Sequence, residues 1–191
     1  MAVVHKLLTP ADFEDMAARG EFDQEGWWYE LVDGEVICLP SPEWIHAQVI
    51  SLITLVLGPF ARQIGAVLLG SGAGFIVGEQ RQQVREPDLS LIVRDRQHLL
   101  VRGKRLVPEA PDLAVEVLSS QQHGEAYAKP KVAEYLAAGG KIVWLVDYDV
   151  KTVRAYEAGE AEYTVYSNDD LIVLDAIVPG FSAPASSFFP S

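Results

Sequence analysis

Three residues of this chain could carry out hydrolytic chemistry together: Asp88, Glu116 and Lys131. Glu116 lies within the run from Pro111 to Ser120, which reads as a short buried strand, apolar on both faces apart from that carboxylate. Strand side chains alternate, so Asp112, Ala114, Glu116 and Leu118 share one face and Leu113, Val115 and Val117 the other. A carboxylate there is costly unless a cation, a donor or a proton compensates it. Asp88 opens an earlier apolar strand. Lys131 rides on the helix after Glu116, four residues before Tyr135 and on the face of Tyr127 and Tyr135. Two carboxylates from adjacent strands form a hard-oxygen site suited to Mg²⁺ or Mn²⁺. Such an ion activates water, and a lysine beside it orients that water or stabilises charge on a phosphodiester. The plainer alternative is a structural ion pair between Glu116 and Lys131.

These residues need a scaffold of strands and helices, and the sequence spells one out. Thr9-Pro10 is an N-cap followed by a proline at the first helical position, opening a helix over 10–19. Trp27 to Leu31, Asp33-Gly34 and Glu35 to Leu39 predict a hairpin with a two-residue turn. Ser41-Pro42 opens a long helix to about Ile64, with Ile45, Val49, Leu52, Ile53 and Val56 at helical spacing. Gly58-Pro59 should kink or interrupt it. Strands are expected at 66–69, 75–77, 82–85, 89–93 and 112–118, then a helix at 125–138 ended by Gly139-Gly140. Another buried strand follows at 141–147, then a hairpin over 150–156 and 162–166 and a strand near 171–174. The strand–helix–strand unit at 112–147 signals a parallel crossover, while the hairpins are antiparallel. The expected class is therefore α/β, with a central mixed β-sheet flanked by helices and N-terminal and C-terminal β-hairpins.

Composition narrows the function classes. The chain has 191 residues, 49% of them hydrophobic, which suits one domain over 1–191 with a real core. Its one cysteine, Cys38, excludes an intramolecular disulfide and a cysteine-based zinc site, so a reduced, cytoplasmic setting is expected. No secretory signal is visible, and the apolar stretch from Ile45 to Leu57 reads as too short and too polar to span a bilayer. No membrane partner is expected. A net charge of −12 argues against tight non-specific nucleic-acid binding. The segment from Arg94 to Arg105 runs against that balance: Arg94, Arg96, Arg102, Lys104 and Arg105 face only Asp95, a local +4. It is either a phosphate-binding loop, with Arg94 and Arg96 as candidate substrate contacts, or a solvated one.

Pro87-Asp88, then Glu116 inside a strand, then a basic residue resembles the PD-(D/E)XK nuclease superfamily, with its restriction-endonuclease-like fold. In that pattern the lysine stands two residues after the acid, where this chain has Leu118. The Uma-type restriction endonuclease family within the superfamily is similar over nearly the whole chain, from Trp28 to Phe189. The shared pieces are the run from Tyr29 to Glu35, Pro40-Ser41-Pro42 with His46, the Pro-Asp strand, and the Glu-Val-Leu-Ser strand. To these are added Lys131 ahead of Tyr135, then Trp144-Leu145-Val146-Asp147 and Pro179-Gly180-Phe181. The lysine of that family stands on the helix, which Lys131 matches. The resemblance implies a Mg²⁺-dependent phosphodiester hydrolase acting on DNA, with Mn²⁺ as a possible substitute. Asp88 and Glu116 would hold the metal, Lys131 would sit beside the attacking water, and Glu30 would add a further catalytic acid. A homodimer would suit cleavage of both strands of a duplex.

Several residues have competing readings. His46 faces the site as a substrate contact or simply packs, and Lys129 rivals Lys131. Asp112 lies roughly 13 Å along the strand from Glu116, too far to share an ion, and reads as a strand-start residue. His123 is a loop residue that solvent or substrate could touch. The tryptophans read as core or interface, Trp144 as core. The competing function is a non-catalytic interaction or oligomerisation module on the same fold, which the net charge and the displaced lysine favour.

Overall fold

Thr9 launches the first helix by a reciprocal cap: its hydroxyl accepts from the Asp12 amide at 3.2 Å, and Asp12 Oδ2 accepts from the Thr9 amide at 2.9 Å. The computed structural model describes residues 7–24, 27–80, 82–118 and 125–190. His123, Ser119 and Ser120 lie outside the described residues, as does the side chain of Tyr127.

Helix α1 (Pro10–Ala18) is followed by β1 (Trp27–Val32) and β2 (Glu35–Pro40). Their turn, Asp33-Gly34, has both residues at positive φ, 50° and 79°, which is the geometry a two-residue hairpin needs to match strand twist. Then come α2 (Trp44–Ile64), β3 (Val67–Gly70), β4 (Gly74–Val77), β5 (Gln83–Arg85), β6 (Leu89–Ile92), β7 (Leu106–Val107) and β8 (Leu113–Leu118). The remainder is α3 (Glu125–Ala137), β9 (Ile142–Asp147), β10 (Thr152–Glu157), β11 (Thr164–Ser167), β12 (Leu171–Val173) and β13 (Ser182–Pro184). The class is mixed α/β, as the patterning predicts, but the strands divide between sheets. A six-stranded sheet has the order β11-β10-β9-β8-β6-β3, a five-stranded one β2-β1-β5-β4-β7, and β12 pairs with β13. Each larger sheet is mixed, with β8 parallel to β9 and β4 parallel to β7. The N-terminal hairpin is the edge of the smaller sheet and the C-terminal hairpin an edge of the larger.

The alternation along β8 sorts the core. Val115 and Val117 join Val49, Ile53 and Leu57 of α2 with Trp144 and Phe188 on one face. Ala114 and Leu118 join Val132 and Tyr135 of α3 with Leu145 on the other. Glu116 shares the parity of the second set, so the fold aims it toward α3.

Two expectations need correction. Gly58-Pro59 does not interrupt α2, which is continuous over 21 residues with Pro59 on its exposed side. The uninterrupted helix is longer than the apolar run suggests, and by length and composition alone it could cross a bilayer. Its stripe of His46, Val49, Ile53, Leu57 and Ala61 is buried instead against the six-stranded sheet. The short elements β7, β13 and the 3-10 helices Arg94–Leu99 and Ala185–Phe188 were not foreseen, being too brief to leave a period in the sequence.

Candidate active site

Strands β6 and β8 run antiparallel with Leu89 opposite Val115. Continuing that register by one residue sets Asp88 opposite Glu116, on the same face. The pairing is reinforced by the backbone: the Val117 amide donates to Asp88 Oδ2 at 2.7 Å. His46, near the start of α2, reaches the same oxygen with Nε2 at 3.1 Å. Nε2 donates in this contact, because the carboxylate can only accept, and the buried Nδ1 has no hydrogen-bond partner among the described residues. His46 therefore faces the site rather than merely packing.

Lys131 Nζ stands 3.1 Å from Glu116 Oε2 and 3.1 Å from Glu30 Oε1. Lys129 is exposed, so the lysine beside Glu116 is Lys131. One turn further along α3, the Tyr135 hydroxyl donates to Glu116 Oε1 at 2.7 Å. Glu30 is in turn fixed by Arg85, whose Nη1 donates to Glu30 Oε2 at 2.7 Å. The rest of that guanidinium grips Glu134 in a two-pronged pair at 2.6 and 3.1 Å. Glu30, Arg85, Glu116, Lys131 and Tyr135 are all buried, so the network lies out of solvent between β1, β5, β8 and α3.

Charge is not balanced within it. Among the described residues, five carboxylates (Glu30, Glu86, Asp88, Glu116 and Glu134) gather around two cations, Arg85 and Lys131. Burial pushes the Glu116 carboxyl up to about 7; Lys131 opposes the rise and the charges of Asp88 and Glu30 add to it. Glu86 is likewise pushed up to about 7, by burial and then by Glu30. Burial would also raise Glu30, but Lys131 and Arg85 outweigh it and hold that carboxyl below its usual range. Burial, then Glu116, drives the Tyr135 phenol well above its ordinary value.

Asp88 and Glu116 form a pair of hard oxygen donors with surplus negative charge. Mg²⁺ needs only one or two protein carboxylates, since it keeps several waters, so this donor set fits such an ion. No group of three or more His, Cys, Asp or Glu side chains is gathered into a fuller metal cage among the described residues. With Lys131 touching Glu116, one phosphate could reach all three side chains.

Arg94 and Arg96 are not part of this arrangement. Strand β6 leads away from Asp88, so the 3-10 helix Arg94–Leu99 emerges at its opposite end. There Arg96 pairs with Glu109 at 3.1 Å and with Asp112 at 3.3 Å, and Lys141 reaches Asp112 at 3.0 Å. Asp112, fully buried, also accepts from the Val93 amide at 3.0 Å, which is the structural strand-start role expected of it. Trp144 is core as expected, whereas Trp27 and Trp44 are exposed. Missed altogether were Arg85, Glu86, Glu134 and Tyr135 as partners of the site. Glu86 had a usable signal, lying two residues before Asp88 and so on the same face of an extended chain.

The family model described as "Uma2: Putative restriction endonuclease" matches residues 10–186. Among solved structures, a crystal structure of a "putative nuclease belonging to DUF820" from Anabaena variabilis superposes with a TM-score of 0.68 at 22% identity. That alignment covers 84% of this chain and 88% of the other. The likeness carries the fold, including the mixed sheet and its flanking helices. No curated protein matches.

Proposed function

The chain belongs to the Uma2 family, and from that premise we propose that it is a metal-dependent endonuclease that hydrolyses phosphodiester bonds in DNA. The observation that carries this reading is the cross-strand pair of Asp88 and Glu116 with the Lys131 ammonium 3.1 Å from Glu116. Asp88 and Glu116 would hold Mg²⁺ or Mn²⁺. When bound, the ion supplies Lewis-acid charge to the phosphate and to the attacking water. The Val117 amide and His46 fix the Asp88 carboxylate, so it enters the reaction already oriented. Tyr135 does the same for Glu116. Lys131 supplies positive charge beside the attacking water and the phosphate, and Glu30, anchored by Arg85, sets where that ammonium stands. With one such centre per chain, cutting both strands at one position calls for two copies, so a homodimer is part of the proposal.

A second reading has one observation in its favour: the Lys131 ammonium is already satisfied by two carboxylates, as a purely structural ion pair would be. That reading is a non-catalytic module on the same fold. Calorimetric titration with Mg²⁺ and Mn²⁺, paired with plasmid-nicking assays, separates the two. The nuclease reading expects metal binding that disappears in Asp88→Asn and nicking that disappears in Asp88→Asn, Glu116→Gln and Lys131→Met. Folded wild type that neither binds the ions in the presence of DNA nor nicks it sinks the nuclease reading.

A further inference from the structure

Beside the active site lies a cleft of about 610 Å³ that the proposed chemistry does not use. Its walls bring together the start of β1, the end of α1 and the second half of the basic segment. Trp27, Trp28 and Tyr29 offer aromatic surface, and Arg102, Lys104 and Arg105 offer positive charge. Resting on the nuclease reading, we propose that this cleft takes an unpaired nucleotide of the strand whose phosphate is attacked.

Chemistry and position agree on that occupant. Trp27 is 42% exposed although it opens a strand, and Tyr29 is fixed by stacking on Phe22 with ring centroids 4.7 Å apart. An exposed aromatic next to exposed arginines is the combination on which single-stranded bases stack while their phosphates are neutralised. In a chain of net charge −12, three cations on one wall of a cleft set it apart from the rest of the surface. The carboxylates of Glu14, Asp23 and Glu86 also line it, but Glu14 is engaged by the Arg105 amide at 3.0 Å and faces Lys104 at 3.7 Å. The volume is that of a pocket for a small ligand, enough for an unstacked nucleotide and not for a base-paired duplex.

Two links join the cleft to the catalytic residues. Glu86 lines its inner end, and the Glu86 amide lies 3.4 Å from Glu30 Oε1, the atom that holds Lys131. Leu69 and Gly72 line it as well, and between them the Ser71 hydroxyl donates to the Asp88 carbonyl at 3.4 Å. A strand with one phosphate at Asp88 and Glu116 would pass its neighbouring nucleotide into this space.

The test is fluorescence-anisotropy titration of a labelled single strand of about 12 nucleotides, in EDTA so that nothing is cut. The proteins are wild type, Trp27→Ala, Trp27→Phe, the double variant Arg102→Ala/Arg105→Ala, and Arg96→Ala. Wild type should bind the single strand more tightly than the matching duplex, with quenched tryptophan fluorescence. Trp27→Ala should lose about 5- to 100-fold, with Trp27→Phe recovering most of it. The double variant should also lower the slope of log K against log salt by about 1.4. Arg96→Ala, whose guanidinium is engaged by Glu109 and Asp112 beyond the far end of β6, should bind as wild type, and because nothing is cut in EDTA a cleft effect stands whether or not the strand is ever hydrolysed. Equal affinities across the cleft variants, or a duplex bound as tightly as the single strand, would overturn the cleft proposal and leave the nuclease reading to its own assay.

Discussion

Lys131 follows Glu116 by fifteen residues, yet its ammonium lies 3.1 Å from Glu116 Oε2. In the PD-(D/E)XK pattern that the sequence resembles, the lysine would stand two residues after the acid, on the same face of the strand. Here that place belongs to Leu118, which is buried in the apolar cluster between the sheet and α3. The charge is delivered from the helix above the strand instead. Two buried carboxylates, Glu30 and Glu116, share this single ammonium.

That sharing predicts a large effect of Lys131→Met. Removing the cation leaves both carboxylates without it, and breaking one side of a buried pair typically costs about 3–5 kcal/mol. Urea unfolding at pH 8 should report a loss in that range. The double variant Lys131→Met/Glu30→Gln should recover part of it, because one of the stranded charges is gone.

The raised carboxyls predict how stability varies with pH. Glu116 and Glu86 titrate near 7 in the folded chain against an ordinary value of 4.5. Between those values the native state holds more protons than the unfolded one, so these groups make stability fall as pH rises from 4.5 to 7 and level off above. A tenfold difference in proton affinity between the two states is worth about 1.4 kcal/mol, and with solvent screening a combined loss of about 1–3 kcal/mol is expected. Glu30 has the opposite sign: its lowered carboxyl contributes stability above its unfolded value that is lost as pH falls through the folded one. Urea midpoints for Glu116→Gln should exceed those of wild type at pH 8 and converge with them near pH 4. If wild type is no less stable at pH 8 than at pH 5 and Glu116→Gln brings no gain at pH 8, the pH account is wrong.

Tyr135→Phe isolates the hydrogen bond to Glu116. The ring still fills its buried place, so the change removes one donor and little else. A loss of about 1–3 kcal/mol is expected, since Glu116 becomes less well satisfied. Losing a donor to the charged carboxylate also pushes the Glu116 carboxyl higher. Mg²⁺ binding measured by calorimetry at pH 7 should therefore weaken, and weaken less at pH 8.5.

The sequence was informative where one residue's neighbours are its own strand or helix. Alternation placed Glu116 on the face opposite Val115 and Val117, and helical spacing put Lys131 on the stripe of Tyr135, both of which the packing bears out. It was silent where the partners come from separate elements. Glu30 and Arg85 are 55 residues apart and meet through β1 and β5, a pairing that no local period encodes. The basic segment divides for a related reason. Its charges are contiguous in the chain, but β6 carries Arg94 and Arg96 to one end of the sheet while β7 returns Arg102, Lys104 and Arg105 to the cleft by Glu86.

That split leads to a prediction about Arg96. Its guanidinium holds Glu109, the Ala110 carbonyl at 2.9 Å and the buried Asp112, and Asp112 in turn caps the amide of Val93 at the end of β6. Arg96→Ala should lower stability in urea by about 1–3 kcal/mol, less than a fully broken buried pair because Lys141 still faces Asp112. Mg²⁺ affinity and nicking of DNA by the folded variant should stay at wild-type levels. A folded Arg96→Ala with weakened DNA binding would instead return this arginine to the substrate path and require the nucleic acid to wrap from one end of the sheet to the other.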